Sequence, residues 1–172
     1  MRLSKRVRHS RKNVMIERKT MAQWAESSRK AGNVTFTACS IDGKPINIRL
    51  HHARIPFEPS CYQADGTETR LNICFADASE DARTQLAEIE QSIDAASSCI
   101  KGELIRCKID MNKVRCYDAN KKRIETPTMK GWLVNAQLRL NGKWATRQGT
   151  GLSLEATDIQ FVEEAREPPC PF

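Results

Sequence analysis

From Asn33 onward the chain alternates apolar and polar positions in short runs, the period of two that a half-buried strand produces. INIRLHH puts Ile46, Ile48 and Leu50 on one face and Asn47, Arg49 and His51 on the other. TRLNICF sets Leu71, Ile73 and Phe75 against Arg70, Asn72 and Cys74. GWLVNAQLRL sets Trp132, Val134, Ala136, Leu138 and Leu140 against Leu133, Asn135, Gln137 and Arg139. With VTFTACSI, ELIRCKID, KVRCYD, KWATR and GLSLEATDIQFV the pattern predicts about seven short strands, bounded by turn signals. Asp42–Gly43, Asp65–Gly66 and DANKKR read as turns, and ELIRCKID and KVRCYD as a pair around Met111–Asn112. Asn141–Gly142 is the strongest hairpin signal in the chain, because both residues tolerate positive φ.

A helical period appears twice. Val14, Met21, Trp24 and Ala25 share a face and predict a helix over residues 14–30, stopped at Ala31–Gly32. Ala82, Leu86, Ile89, Ile93 and Ala96 form a stripe that predicts a helix over residues 77–98, opened by a capping-box pattern at Asp77 and Glu80. Its other face carries Glu88, Glu90 and Asp94, so it should turn away from nucleic acid. Many short strands and one inserted helix predict a mainly β fold: a small closed or nearly closed barrel, with a β-sandwich as the alternative.

Composition then bounds the function. The 172 residues are 40% apolar, enough for one modest core. Residues 1–30 hold ten Lys or Arg and two acids, a net +8, while the other 142 carry 18 basic and 19 acidic residues, a net −1. A basic arm on a near-neutral body is an electrostatic anchor for a polyanion. The organisation expected is a basic arm with a helix (1–32), a barrel (33–162) and an acidic tail ending Pro-Phe (163–172). No run of about 18 apolar residues is present to span a membrane, and no apolar stretch follows the N-terminal charges as in a secretory signal. The seven cysteines are odd in number and lack a CxxC pair, which suits free thiols in a reducing, intracellular compartment better than disulfides or zinc. No metal or cofactor is expected.

Catalytic signatures are missing: there is no GxxxxGK[ST], GxSxG or HExxH. Cys61 could pair with His51 or His52, but seven cysteines make such pairings easy by chance. A non-enzymatic binder is expected. Basic or amide side chains recur on strand faces: Arg49 and His51, Arg106 and Lys108, then Asn135, Gln137 and Arg139. In RLNGKWATRQGTG, Arg139, Lys143 and Arg147 flank Trp144, a ring that either stacks on a base or joins Leu138 and Leu140 in the core. Tyr117 beside Arg115, and Phe57 between Pro56 and Pro59, are further candidate platforms, Phe57 having the alternative role of plugging a barrel end. Cations for phosphates and flat rings for bases are what a single strand requires. The candidate groove is Arg49, Phe57, Tyr117, Arg139, Lys143, Trp144 and Arg147, joined by Arg6, Arg8, Arg11 and Lys12 of the arm.

The stretch from Met129 to Val162 resembles the C-terminal hairpin of OB-fold single-stranded-DNA-binding proteins of bacteriophages and large DNA viruses: Gly131, an alternating strand, Asn141–Gly142, a strand containing Trp144, a bend at Gly149–Gly151, and a last strand closing on Ile159–Val162. ARIPFEP, RLNICF and the helix ending QSIDAA resemble the same family's strand–helix order, so the likeness covers about residues 33–162. It implies an OB-like barrel that binds single-stranded DNA, with RNA also possible, in replication or recombination, in a host cytoplasm, nucleoid or nucleus. The ending is similar to the acidic, Pro-Phe-capped tip by which bacterial single-stranded-DNA-binding proteins dock partners, which would give Glu163, Glu164, Pro171 and Phe172 a partner-binding role. This tail departs from that pattern in Arg166, Cys170 and its extra prolines. Homo-oligomers through barrel edges are possible. The competing reading is a capsid-type nucleoprotein that neutralises a genome with the basic arm.

Overall fold

The computed structural model describes residues 22–61 and 67–164. In chain order these form β1 (Gln23–Trp24), β2 (Arg29–Ala31), β3 (Val34–Ser40), β4 (Ile46–Arg54), β5 (Arg70–Phe75), α1 (Glu80–Ser92), β6 (Ile100–Lys101), β7 (Leu104–Asp110), β8 (Arg115–Tyr117), β9 (Arg123–Ile124), β10 (Trp132–Thr146) and β11 (Gly149–Glu164).

Five of these strands close on themselves. β4 pairs with β10, β10 with β11, β11 in parallel with β7, and β7 with β5. The ring is completed by reciprocal backbone bonds between Arg54 and Ala76, at 2.9 and 2.8 Å. Numbered by chain order, the barrel strands run 1-2-3-5-4-1, the Greek-key closure of an OB-like barrel. The alternative of two stacked sheets is not what forms.

The alternation dictates the core. Ile48, Leu50, Ile73, Phe75, Ile105, Ile109, Leu138, Leu140 and Ile159 all point inward and are fully buried; each such side chain contributes about 1.5–3 kcal/mol relative to exposure. α1 lays Ala82, Leu86 and Ile89 on this core, as the stripe requires. It is shorter than residues 77–98, and Asp77 does not cap it: the N-cap is Ser79, with no side-chain cap bond. Asp77 turns back at φ 56° and pairs with Arg54 at 3.1 Å, beside the Arg54–Ala76 seam. After the helix, buried Glu90 accepts bonds from the Ser98 hydroxyl and the Cys99 N–H, both at 2.6 Å. Among the described residues no helix is long and apolar enough to cross a membrane.

Three local expectations give way to tertiary pairing. The helix over residues 14–30 is absent from Ala22 onward, its earlier part lying outside the described residues. Gln23–Trp24 and Arg29–Ala31 instead pair with β3, the second through a turn at Gly32, φ 57°. This small flap lies against β10, where a strand edge offers hydrogen bonds that an isolated helix would have to make alone. Asn141–Gly142 is no turn either. β10 continues through it, with a register shift against β11 between Leu140 and Gly142, and turns at Arg147–Gln148. Gly142 serves a close approach: a Cβ there would lie 2.2 Å from the Thr37 carbonyl oxygen of β3. Finally, β7 and β8 do not pair with each other. Both run parallel to β11, one after the other, at Lys108↔Glu155 and Arg115↔Asp158.

Candidate nucleic-acid interface

The inward turn of Ile73, Phe75, Ile105 and Ile109 forces their neighbours outward. On the outer face of β5 and β7 the cross-strand pairs are therefore Arg70 with Asp110, Asn72 with Lys108, and Cys74 with Arg106. Lys108 Nζ donates to Asn72 Oδ1 at 2.6 Å, which holds the ammonium on the face. The segment after β4 arches over one end. Ser60 and Asn72 exchange backbone bonds at 3.0 and 2.7 Å, and the Glu58 carboxylate accepts the Met129 and Lys130 N–H groups, each at 3.0 Å. Pinned on both sides, the segment holds Phe57 outward and 59% exposed. Phe57, Ser60, Asn72, Cys74 and Arg106 line a concavity of about 200 Å³.

The same face continues towards the flap. Arg70 of β5 and Lys113 join Arg29 and Phe36 of the flap around a concavity of about 490 Å³, whose floor includes Asn141, Ser153 and Glu155. The Arg29 guanidinium lies 5.6 Å from the centre of the Phe36 ring. Beyond Lys113 and Glu155 the surface opens into a concavity of about 470 Å³, bordered by Arg115 and Arg139.

Ion pairing separates these cations. Three pairs form among the described residues: Arg54–Asp77, Lys113–Asp110 at 3.3 Å and Arg115–Asp158 at 2.8 Å. The Asp158 carboxylate, by hydrogen bond and charge, raises the Arg115 pKa above its ordinary value. Arg70, Arg106 and Lys108 have no acid partner within ion-pair distance among the described residues. Arg29, Arg49 and Arg139 likewise form no ion pair among the described residues.

The sequence candidates are dispersed. Phe57 stands on the β5–β7 face. Arg49 and Tyr117 share a smaller concavity of about 160 Å³ on the outside of β4, β10 and β11, walled by Asn135, Gln137 and Gln160. There the polar groups bond to one another: Asn135 donates to Gln160 at 3.1 Å, and Gln160 to the Asp118 and Ala119 carbonyls at 3.3 and 3.2 Å. A bulge at His52, φ 51°, accompanies two adjacent exposed histidines. Arg139 is half-buried, its Nε without a hydrogen-bond partner. Lys143 caps the Trp24 ring, 4.8 Å from its centre. Trp144 is half-buried outside the core cluster, lying against Gly151, where a Cβ would come within 2.4 Å of its ring. Arg147 is exposed at the hairpin turn, and Glu163 and Glu164 at the end of β11. Arg6, Arg8, Arg11, Lys12, Pro171 and Phe172 lie outside the described residues.

Arg70 and Phe36 are the residues that sequence reasoning passes over. Arg70 was legible as an outward position of RLNICF. Phe36 was not, since a ring in VTFTACSI reads as core and its partner Arg29 falls in a predicted helix.

With this geometry in place, the comparison with known structures is specific. The fold is similar to that of a phage single-stranded-DNA-binding protein. The protein of bacteriophage Enc34, solved in complex with ssDNA, aligns with a TM-score of 0.50 and 14% identity over 85% of this chain and 100% of that one. A C-terminal truncation of the same phage protein gives 0.49 and 13%, over 85% and 98%. No protein-family model and no curated protein matches the sequence. At this identity the likeness is one of fold.

Four of the thiols offer little reactivity. Burial pushes Cys39 up to about 11 and Cys99 up to about 12, the latter helped by Glu90, and it also raises Cys107 and Cys116. A thiol held protonated is a poor nucleophile. Among the described residues no group of three or more His, Cys, Asp or Glu is placed to hold a metal.

Proposed function

We propose that this protein binds single-stranded DNA without catalysing a reaction, along the outer face of β5 and β7, and serves replication or recombination inside a cell. The observation that carries the reading is the company Phe57 keeps: an exposed ring in one concavity with Arg106 and with Asn72, which holds Lys108, neither cation ion-paired with an acid among the described residues. In an OB barrel the second and third strands and the loop joining the first two form the usual oligonucleotide surface; here those are β5, β7 and the Phe57 segment. The Enc34 protein's complex with ssDNA supports the same reading. Cations displace counterions from phosphates, and rings accept bases at about 1–3 kcal/mol each. Arg139, Lys143, Trp144 and Arg147 extend the path along the hairpin, and the basic arm adds affinity that ignores sequence. The acidic end with Glu163 and Glu164 is left for protein partners.

The test is fluorescence anisotropy with labelled oligo-dT, its RNA counterpart and a duplex over a salt series, for the whole chain and for residues 22–172. The cut falls before Gln23 because β1 and β2 belong to the sheet. The shorter chain should still prefer oligo-dT to duplex. Equal, steeply salt-dependent binding of all three by the whole chain, lost on truncation, would instead favour a capsid-type arm.

A further inference from the structure

The concavity between the flap and the barrel holds two carboxylates, an unusual lining for a surface that meets phosphates, since each repels them. Asp110 is fully engaged: Oδ1 accepts the Asn112 N–H at 3.0 Å, and Oδ2 pairs with Lys113 at 3.3 Å. Glu155 is not. Its Oε2 accepts the Asn141 side-chain amide at 3.1 Å, and its Oε1 has no partner among the described residues. That bond orients the carboxylate while leaving one oxygen to accept from a ligand.

Around Glu155 stand a ring and three cations. Phe36 supplies a ring whose position is fixed, because its tip lies over Gly142, where a Cβ would be 2.8 Å away. Arg29 sits over that ring, and Arg70 supplies positive charge at the rim, where Lys113 is held by Asp110. The volume of about 490 Å³ falls within the range of small-ligand sites, roughly 300–1,000 Å³.

We propose that this concavity is a base-selecting subsite, in which Phe36 stacks one base and Glu155 Oε1 accepts a hydrogen bond from its exocyclic amine. The inference rests on the single-strand reading above and adds a preference to it. Cytosine presents an amino donor that a carboxylate accepts. Uracil and thymine present a carbonyl oxygen at the same place, which faces the carboxylate without a proton and leaves a polar group unpaired.

The experiment compares oligo-dC, oligo-dU and oligo-dT of equal length on the full chain at fixed salt, then repeats it with Glu155→Gln. Oligo-dC and oligo-dU share ring size and lack the thymine methyl, so stacking area is held constant. The expected result is binding of oligo-dC about five-fold tighter than oligo-dU. In Glu155→Gln, whose amide both donates and accepts, that ratio should fall to near one. Equal binding of the two by the wild-type chain overturns the subsite while leaving single-strand binding intact, and needs no variant. A dC preference that survives Glu155→Gln overturns the role of Glu155. Failure to bind any single strand overturns the proposed function itself and the subsite with it.

Discussion

Two faces of one barrel carry similar residues in different company. Outside β5 and β7, Arg70, Arg106 and Lys108 make no ion pair among the described residues, and Arg106 shares a concavity with the exposed Phe57 ring. Outside β4, β10 and β11, the Asn135, Gln160 and Asp118 groups are bonded to one another, and Arg115 is held by Asp158. Both faces read as polar and basic in the sequence. What distinguishes them is an exposed ring on the first and a bonded network of amides on the second. A bonded network stiffens a wall, while a cation beside an exposed ring offers a surface to a ligand.

The largest effect should come from reversing charge. Arg106→Glu with Lys108→Glu should weaken oligo-dT binding about a hundred-fold at low salt and reduce the slope of log affinity against log salt by about 0.7 per lost contact. Arg49→Glu on the other face should change it far less. Equal losses from both faces, measured by anisotropy, would erase the distinction between them. Next comes stacking. Phe57→Ala should cost about 1–3 kcal/mol of binding with no change in melting temperature, because the ring is 59% exposed. Tyr117→Ala should cost less. If Phe57→Ala unfolds the protein, the ring is a plug and its place in the groove is wrong.

Gly142→Ala tests how the flap is held. The new methyl meets the Thr37 carbonyl and the Phe36 ring, so calorimetry should show a loss of about 1–3 kcal/mol. The smallest effect is in pH. Cys39 and Cys99 are raised in the folded protein to about 11 and about 12, against 9.0 when unhindered. Between those values the unfolded chain loses thiol protons that the folded one keeps, so stability is whole below pH 9 and declines as pH rises above it. Replacing Cys39 by Ala should flatten part of that decline in a melting series.

Much of the barrel was legible because its strands are long and half-buried. INIRLHH, RLNICF and WLVNAQLRL each turn the expected side inward, and Leu86 and Ile89 fix the helix. What was illegible depends on partners distant in sequence. Asn141–Gly142 has the chemistry of a turn, yet its glycine answers to Thr37, some hundred residues earlier. Trp24 sits at helical spacing with Met21, yet its ring is covered by Lys143. The site followed the same rule. Phe57 could be suspected from its prolines alone, whereas Phe36, Arg29 and Glu155 become neighbours only when the flap pairs with the barrel. No strand pattern separates a free cation from one that an acid already holds.

The most direct test is to map where a base touches the protein. Oligonucleotides carrying 5-iododeoxyuridine would be photo-crosslinked to the full chain and the joined residue found by mass spectrometry. The account predicts crosslinks to Phe57, on the β5–β7 face. Crosslinks confined to Tyr117 would place the strand on the opposite wall and contradict it.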